Sequence, residues 1–541
     1  MNQPEPQGIQ FSTLMSDIDK GLIKIPQFQR DFIWTKEKSA KLIDSILKGY
    51  PIGTFILWKT KEALRTIKNL GKINLPATPH GEFIQYVLDG QQRLTTLYCC
   101  IKGLVIQRNG VSDDFSELYV DLLAEEDEDI LIIDISEKEP SNIIKLCDLM
   151  NKGIKYFANN YEKHYEKIDR YKTRLQSYSF SIVLIRDAPI DVATEIFTRI
   201  NVTGQPLSVF EIMVAKTFDP KKKFDLAEKF DELIERLEIV DYETISNATI
   251  LQTVSVLLVK ECSKKHILKL DKDKFINIWE KAIDAIEQSV EYFRNYYRIP
   301  VSKLLPYNAM LIPFSYFFFK HKNRPIGRKQ KYLEDFFWRT SLTSRYSSSL
   351  ESRVAQDIKR IDKILSDKLP KYDYSVDISP EFIETNGWFS ASAAYIKAIL
   401  CLLAHHEPKS FVDNSIVRLS NDWLKQANSK NYHHFFPKSY LKTNGEDYRY
   451  INHIANITLV DDFLNKNVIR AKSPAQYMKS FKDKNPDLAE SMQSHLIDID
   501  SFGIWENDYD TFFRKRINAF SKELKKRIII QSIDRKSSIR E

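Results

Sequence analysis

The stretch YVLDGQQRLTTLY, residues 86–98, joins an apolar run to an apolar-periodic segment through a short polar turn. The residues before Asp89 predict a strand, and those after Arg93 have helical spacing. Gly90 permits a tight turn between the two. A strand that enters a helix through such a turn presents free backbone N–H groups and the positive end of the helix dipole. The turn is therefore either an anion-binding site or a capped structural turn.

The side chains of this turn suit a phosphorylated ligand. Arg93 can donate two parallel hydrogen bonds to phosphate oxygens. Gln91 and Gln92 offer both donors and acceptors to a sugar, a base or a phosphate. Asp89 can cap the helix or hold a metal ion that a triphosphate brings with it. Two further polar loops, in KIPQFQRDFIW (24–34) and EIFTRINVTGQPLSVFEI (195–212), lie where binding groups usually occur.

Length and composition describe a multidomain globular protein. The chain has 541 residues, of which 43% are hydrophobic and 28% charged, and it is too long for one ordinary core. It contains no apolar run of about 18 residues, and its start lacks a signal-peptide pattern, so we expect a cytoplasmic protein without a membrane partner. The net charge of +7 is compatible with a polyanionic partner. The five cysteines form no C-x-x-C pair, which favours reduced thiols.

Three zones follow one another along the chain. Residues 1–215 mix strand and helix signals, with TFILWK, FIQYVL, ELYVDLL and FSIVLIR as strands and a helix that Thr35 caps. Residues 216–420 have helical periodicity without convincing strands. Residues 421–541 carry a histidine pair and end in an amphipathic basic helix. The pattern predicts an α+β multidomain protein with a helical middle.

The middle zone contains two aromatic and basic clusters, EYFRNYYRIP (291–300) and SYFFFKHKNRPIGRKQKYLEDFFWR (315–339). Interleaved aromatic and cationic side chains can stack bases and hold phosphates. The simpler interpretation places Phe317 to Phe319 and Phe336 to Trp338 in a helical core, and we favour it for the aromatic residues. For the basic loop between them, residues 320–331, a DNA contact and a solvated loop are equally good interpretations.

The second polar motif is NYHHFFPKSYL (431–441), followed by NHIANITLVDDFLNKNVIRAKSPAQY (452–477). Two strand-like pieces bracket a loop, and a helical segment begins near Asp462. This order is what a one-metal phosphodiesterase needs, since a neutral histidine can accept a proton from water and a bound cation can stabilise the charge that develops. His405, His406 and His453 are better explained as structural, surface or loop residues.

In the N-terminal zone, four motifs carry a resemblance to a known family: IPQFQRDFIW, YPIGTFILW, VLDGQQRLTTL and EIFTRINVTGQPLSVFE. In this order they resemble the N-terminal domain of GmrSD-type modification-dependent restriction enzymes, over roughly residues 10–215. The resemblance implies a ParB/sulfiredoxin-like α/β fold that binds and hydrolyses a nucleoside triphosphate. It implies that the pocket contains the following residues: Asp89, Gly90, Gln91, Gln92, Arg93, Arg30, Asn201 and Gln205.

The histidine motif resembles the HNH, or ββα-metal, nuclease domain that accompanies this N-terminal domain. The resemblance implies that His434 is the general base, that Asn456 orients its loop, and that His433 and Asn465 ligate a divalent metal. Phosphate contacts are expected from Lys438, Arg470 and Lys472. Many HNH domains have Asp at the position of His433, so the ion can be Mg²⁺, Mn²⁺ or Ni²⁺. Because neighbouring strand residues point to opposite faces, both histidines reach one site only if the backbone turns there.

The resemblance implies a phage-defence DNA endonuclease that recognises modified DNA and is regulated by a nucleotide. The implied domains are residues 1–215, 216–420 and 421–541. A homodimer would let one cutting site act on each DNA strand. Two alternatives remain open: a nucleotide-gated DNA-binding protein with a degenerate nuclease site, and an RNA-cleaving effector of abortive infection.

Overall fold

The computed structural model describes most of the chain in two compact units, residues 1–226 and 227–541. The described residues are 4–26, 34–61, 64, 66, 69–70, 73–74, 78–79, 81–108, 111–125, 128–200, 208–421, 424, 432–460 and 472–537. Five predicted site residues lie outside them: Arg30, Asn201, Gln205, Asn465 and Arg470.

The first unit mixes strands and helices, in agreement with the predicted α+β class. Its strands are β1 (Glu5–Gln10), β2 (Ile23–Lys24), β3 (Phe55–Thr60), β4 (Asn69–Leu70), β5 (Ile73–Asn74), β6 (Ile84–Asp89), β7 (Val105–Arg108), β8 (Val111–Asp114), β9 (Tyr119–Asp121), β10 (Leu131–Ile132), β11 (Ile143–Lys145) and β12 (Ser179–Arg186). Its helices are α1 (Phe11–Asp19), α2 (Lys36–Leu47), α3 (Gln91–Lys102), α4 (Leu146–Asn151), α5 (Ile154–Asn160), α6 (Tyr165–Ser177), α7 (Ile190–Ile200) and α8 (Val209–Thr217).

A mixed five-stranded sheet forms the centre of this unit, in the order β1-β12-β3-β6-β2. β12 and β3 pair in parallel, whereas β3 and β6 are antiparallel, with Trp58 opposite Tyr86. Apolar residues of β3, β6 and β12 form one buried core with residues of α2, α3 and α6. The N-cap of α2 is Thr35, whose side chain accepts a hydrogen bond from the Lys38 N–H, as the sequence predicts. This packing fixes the end of β6 beside the start of α3.

The second unit is helical apart from one small antiparallel pair among its described residues. The pair is β13 (Tyr432–His434) with β14 (Ile457–Leu459). The helices before it are α9 (Leu226–Glu238), α10 (Asn247–Val259), α11 (Lys264–Leu268), α12 (Lys272–Asn295), α13 (Leu311–Lys320), α14 (Gly327–Leu342), α15 (Leu350–Leu365), α16 (Pro380–Asn386) and α17 (Ala394–His405). Those after it are α18 (Lys438–Thr443), α19 (Tyr448–Ile451), α20 (Pro474–Lys482), α21 (Leu488–Ser494), α22 (Tyr509–Lys525) and α23 (Ser532–Ser537).

Aromatic packing holds the helices of this unit together. Phe317, Phe318 and Phe336 to Trp338 are buried, so the core interpretation of these residues is confirmed. A buried ion cluster also ties the end of the chain to α14, because Arg339 donates to the carboxylates of Asp335 and Asp534. The helical zone and the histidine zone therefore share one folded unit.

Candidate functional site

The Asp-Gly-Gln-Gln-Arg turn lies where the sequence places it, between β6 and α3. Gly90 is the N-cap of α3 and has φ +91°, a left-handed conformation that favours glycine. A Cβ atom on Gly90 would lie 2.4 Å from Cδ1 of Phe55. Both the backbone conformation and the close approach of β3 therefore require glycine at this position.

The guanidinium of Arg93 organises the neighbouring loop. Its Nη1 donates to the carbonyl of Ile52 at 2.7 Å, and its Nη2 donates to the carbonyl of Thr54 at 2.9 Å. The Nη2 atom also lies 3.3 Å from Oδ2 of Asp89. These contacts fix the loop before β3 against the start of α3. They also fix the position of the guanidinium at the start of α3. There, 18% of the Arg93 side chain and 35% of the Asp89 side chain remain exposed.

The two glutamines of the turn are largely buried, with Gln91 5% and Gln92 7% exposed. The structure brings both of them together with Asp89 and Arg93 at one end of the sheet. The other predicted pocket residues, Arg30, Asn201 and Gln205, lie outside the described residues. The described part of the pocket thus consists of the turn itself.

The histidine pair lies on β13, and its two side chains point to opposite faces. β13 pairs with β14 in unbroken register, with His433 opposite Thr458 and His434 opposite Ile457. The ring of His433 is 2% exposed and lies near the ring of Tyr477. The partly buried ring of His434 lies instead near Phe389. Because the backbone does not turn between them, this geometry gives no support to His433 as a metal ligand beside His434.

Asn452 orients the ring of His434. The Nδ2 of Asn452 donates to the carbonyl of Phe389 at 3.2 Å, so its Oδ1 faces His434. The Nε2 of His434 lies 3.1 Å from that oxygen and must therefore carry the proton. Nδ1 is then the basic nitrogen, and it has no hydrogen-bond partner among the residues that the structure describes. The arrangement leaves one lone pair available to a ligand.

Burial keeps His434 neutral. Desolvation, helped by the charge of nearby Lys438, lowers the pKa of His434 to about 3. Burial also lowers the pKa of Lys438, which lies at the start of α18 and is partly exposed. Lys472 is exposed, and Arg470 lies outside the described residues.

Asn456 closes the turn that follows His434. Its side chain accepts a hydrogen bond from the N–H of Phe436 at 2.8 Å and donates to the carbonyls of Phe436 and Ile451. Asn456 is fully buried, and its backbone carbonyl accepts from Phe435 at 2.8 Å. Four hydrogen bonds to one residue therefore fix the backbone that leads out of β13.

The remaining histidines have structural contacts. His453 lies within hydrogen-bonding distance of the carbonyls of Ile383 and Glu384 at the end of α16, and its Nδ1 accepts from the Ala455 N–H. His405 contacts the carbonyl of Tyr297. Asn452 and Phe389 were not among the site residues predicted from the sequence. Asn452 opens the same NHIAN motif that contains Asn456, which is the one signal that could have indicated it.

Comparison with known proteins relates residues 11–218 to a known family. The model of the GmrSD restriction endonuclease, N-terminal domain, matches residues 11–218, which supports the GmrSD-type restriction endonuclease family for this part of the chain. The chain is also similar to the uncharacterized protein MJ0686 of Methanocaldococcus jannaschii, with 24% identity across 95% of this chain and 96% of that protein. None of the described helices has the length and apolar character needed to cross a membrane.

Proposed function

We propose that this chain is a DNA endonuclease of the GmrSD type that cuts modified phage DNA at His434 under the control of a nucleoside triphosphate. The match of residues 11–218 supports the restriction part of the proposal. The observation that carries the cutting part is the neutral imidazole of His434, which Asn452 orients with its basic nitrogen open. The proposed cutting site uses the two-stranded motif of β13 and β14, in keeping with an HNH nuclease.

The proposed reaction is hydrolysis of a phosphodiester bond. Nδ1 of His434 accepts a proton from water, the water oxygen bonds to phosphorus, and the bond from phosphorus to the sugar oxygen breaks as that oxygen takes a proton from solvent. Asn452 holds the imidazole in the required tautomer. Lys438 lies near His434 and would place a positive charge beside the phosphate. Lys472 and Arg470 would contact neighbouring phosphates.

A divalent cation, Mg²⁺, Mn²⁺ or Ni²⁺, would supply further charge stabilisation to the phosphate when bound. The described residues contain no group of three or more His, Cys, Asp or Glu side chains arranged to hold such an ion. Asn465 lies outside the described residues, and His433 faces away from His434. The steps assigned above therefore use only side chains of this chain.

The nucleoside triphosphate would bind at the Asp89–Arg93 turn. The start of the 12-residue helix α3 favours an anion, and Arg93 provides a fixed cation there. Gln91 and Gln92 would contact the sugar or base, and Arg30, Asn201 and Gln205 would complete the pocket. Arg93 also donates hydrogen bonds to the carbonyls of Ile52 and Thr54. A phosphate that competes for these donors would therefore change the conformation of that loop. This link is the proposed route by which nucleotide state is sensed.

The test is a cleavage assay with the full chain on phage DNA carrying glucosylated bases, on unmodified DNA and on RNA, with each metal and each triphosphate. We expect cutting of modified DNA by the wild type and by His266→Ala, an exposed histidine of the same unit, and none by His434→Ala. Cutting of RNA in preference to DNA would instead indicate the RNA-cleaving effector. Nucleotide-dependent DNA binding without cutting would indicate the degenerate nuclease.

A further inference from the structure

A cavity of about 200 Å³ lies beside the second half of α12, in the part of the chain where the sequence shows its aromatic and basic clusters. One face of α12 supplies polar side chains at helical spacing, and the segment after α13 supplies two cations. The cavity is lined by Gln288, Tyr292, Tyr296, Lys322 and Arg324, and Glu291 adds one carboxylate to the lining. Neither the cutting site nor the Asp89–Arg93 turn uses any of them.

Two polar atoms at this cavity have no hydrogen-bond partner among the described residues. They are Oε1 of Gln288 and the hydroxyl of Tyr292. Tyr292 is only 6% exposed, so its hydroxyl carries the cost of burial without compensation from the fold. A buried pair made of one acceptor and one hydroxyl is complementary to a ligand edge that carries an N–H group next to an acceptor.

An aromatic platform lies beside these atoms. The rings of Tyr292 and Tyr296 are stacked, with centroids 4.8 Å apart and planes 10° apart. The hydroxyl of Tyr296 donates to Oε2 of Glu334, which fixes the orientation of this half-buried ring. Because nearly parallel rings with centroids 4.8 Å apart are offset, a flat heterocycle in the layer of Tyr292 can cover the free part of the Tyr296 face, and base–aromatic stacking tolerates any base.

Two cations stand at the cavity next to the platform. Lys322 and Arg324 are exposed, and neither forms an ion pair within the described residues. The cavity is smaller than the roughly 300 Å³ typical of pockets for drug-sized ligands. It therefore fits a single ring system, with a charged group left outside near the two cations.

We propose that this cavity binds one unpaired nucleobase of a DNA strand, with its phosphate held by Lys322 and Arg324. Gln288 and Tyr292 contact the hydrogen-bonding edge of the base, and Tyr296 stacks on its face. The inference rests on the proposed function only for the source of the base. The cavity would then be a second DNA-binding site, apart from the cutting site, that holds an unstacked base.

The test measures binding with the full chain carrying His434→Ala, so that cutting does not interfere. The probes are a single-stranded oligodeoxynucleotide containing 2-aminopurine, whose fluorescence falls on stacking, the same sequence as a duplex, and free dAMP. We expect the single strand to bind with quenching, and to bind more tightly than the duplex. Tight binding of dAMP with no gain from the strand would identify a free nucleotide as the ligand and overturn the assignment to DNA.

Tyr292→Phe and Gln288→Leu are the decisive variants because each removes a buried polar atom that has no hydrogen-bond partner among the described residues. Each should weaken binding of the single strand by about tenfold, while the melting temperature stays equal or rises. Lys322→Ala with Arg324→Ala should reduce both affinity and salt dependence, whereas Lys264→Ala with Lys265→Ala on exposed α11 should not.

Unchanged affinity in Tyr292→Phe and Gln288→Leu would overturn the proposal. So would a fall in melting temperature in both variants, because the two atoms would then serve the fold. If the wild-type chain cuts modified DNA while Tyr292→Phe and Gln288→Leu bind the single strand with unchanged affinity, the cavity proposal alone fails. The proposed function then stands.

Discussion

The side chains of His434 and Asn452, 18 positions apart in sequence, form a 3.1 Å contact between Nε2 and Oδ1. Asn452 is itself fixed from both sides, because its side chain donates to the carbonyl of Phe389 and its own carbonyl accepts from the Phe389 N–H. The tautomer of His434 therefore depends on a residue that follows β13 and is separated from it by the two short helices α18 and α19. A histidine held in this way presents the same nitrogen to any ligand.

Substitution of Asn452 tests this relationship through the pH dependence of cutting. In Asn452→Asp a carboxylate would accept the hydrogen bond from Nε2 and favour the charged imidazolium, so the pKa of His434 should rise from about 3. The acid limb of the cleavage rate should then move to higher pH. In Asn452→Leu the ring loses its partner, and the rate should fall by about tenfold or more. An unchanged pH profile in a folded Asn452→Asp protein would exclude a role for this contact.

Asn456 should matter to stability as well as to activity. Asn456→Ala removes the partners of the Phe436 N–H and of two carbonyls in a fully buried turn. We expect the free energy of unfolding to fall by about 2–4 kcal/mol, as measured by urea titration. Asn518→Ala provides the control, because the exposed Asn518 side chain contacts only the carbonyl of Arg514 within its own helix. Equal losses in the two variants would contradict the assigned role of Asn456.

Glycine substitutions test whether the guanidinium of Arg93 is held rigidly against the loop that contains Gly53. A Cβ on Gly53 would lie 2.4 Å from Nη1 of Arg93, and φ there is +89°. Gly49 has a similar φ of +78° but no atom within 4 Å of the corresponding position. Both alanine variants carry the cost of a left-handed backbone, roughly 1 kcal/mol, and Gly53→Ala adds a steric clash. Gly53→Ala should therefore melt at a clearly lower temperature than Gly49→Ala, and equal melting temperatures would mean that Arg93 is free to move.

Buried histidines should make the protein less stable in mild acid. Burial lowers the pKa of His453 to about 4 and that of His495 to about 3, against an ordinary value of 6.5. As the pH falls, these histidines therefore take up protons at a higher pH in the unfolded state than in the folded state. The stability that they contribute is complete above pH 6.5 and is lost as the pH falls towards the pKa values of the folded state. Each histidine should contribute a slope of about 1.4 kcal/mol per pH unit in this window.

Urea unfolding at a series of pH values between about 7 and 4.5 measures this slope. His453→Gln should reduce the slope of the free energy of unfolding against pH by the contribution of one histidine, whether or not the substitution also lowers the free energy of unfolding at neutral pH. A slope identical to that of the wild type would show that His453 is already charged in the folded protein.

Local sequence patterns were sufficient for much of the fold. The β-branched runs predicted β3, β6, β9 and β12, and Thr35 predicted the start of α2. The aromatic clusters around Phe317 and Phe336 were correctly interpreted as core. These predictions succeeded because strand alternation, capping and helical periodicity are properties of neighbouring residues.

Contacts between distant residues could not be read in the same way. Arg93 was expected to present its guanidinium to a phosphate, yet two of its nitrogens donate to carbonyls of Ile52 and Thr54, about 40 positions earlier. Phe389 meets Asn452 across 63 positions. Such pairs depend on how the helices and strands pack, and no local sequence pattern predicts them. The opposite orientation of His433 and His434, in contrast, follows directly from strand geometry.

The most direct test of the central claim is single-turnover cleavage of modified DNA by the wild type and by His434→Ala at equal concentrations of folded protein. We expect His434→Ala to lose about a hundredfold or more in rate while it retains DNA affinity and melting temperature. A folded His434→Ala protein that cuts at the wild-type rate would show that the chemistry takes place elsewhere in the chain.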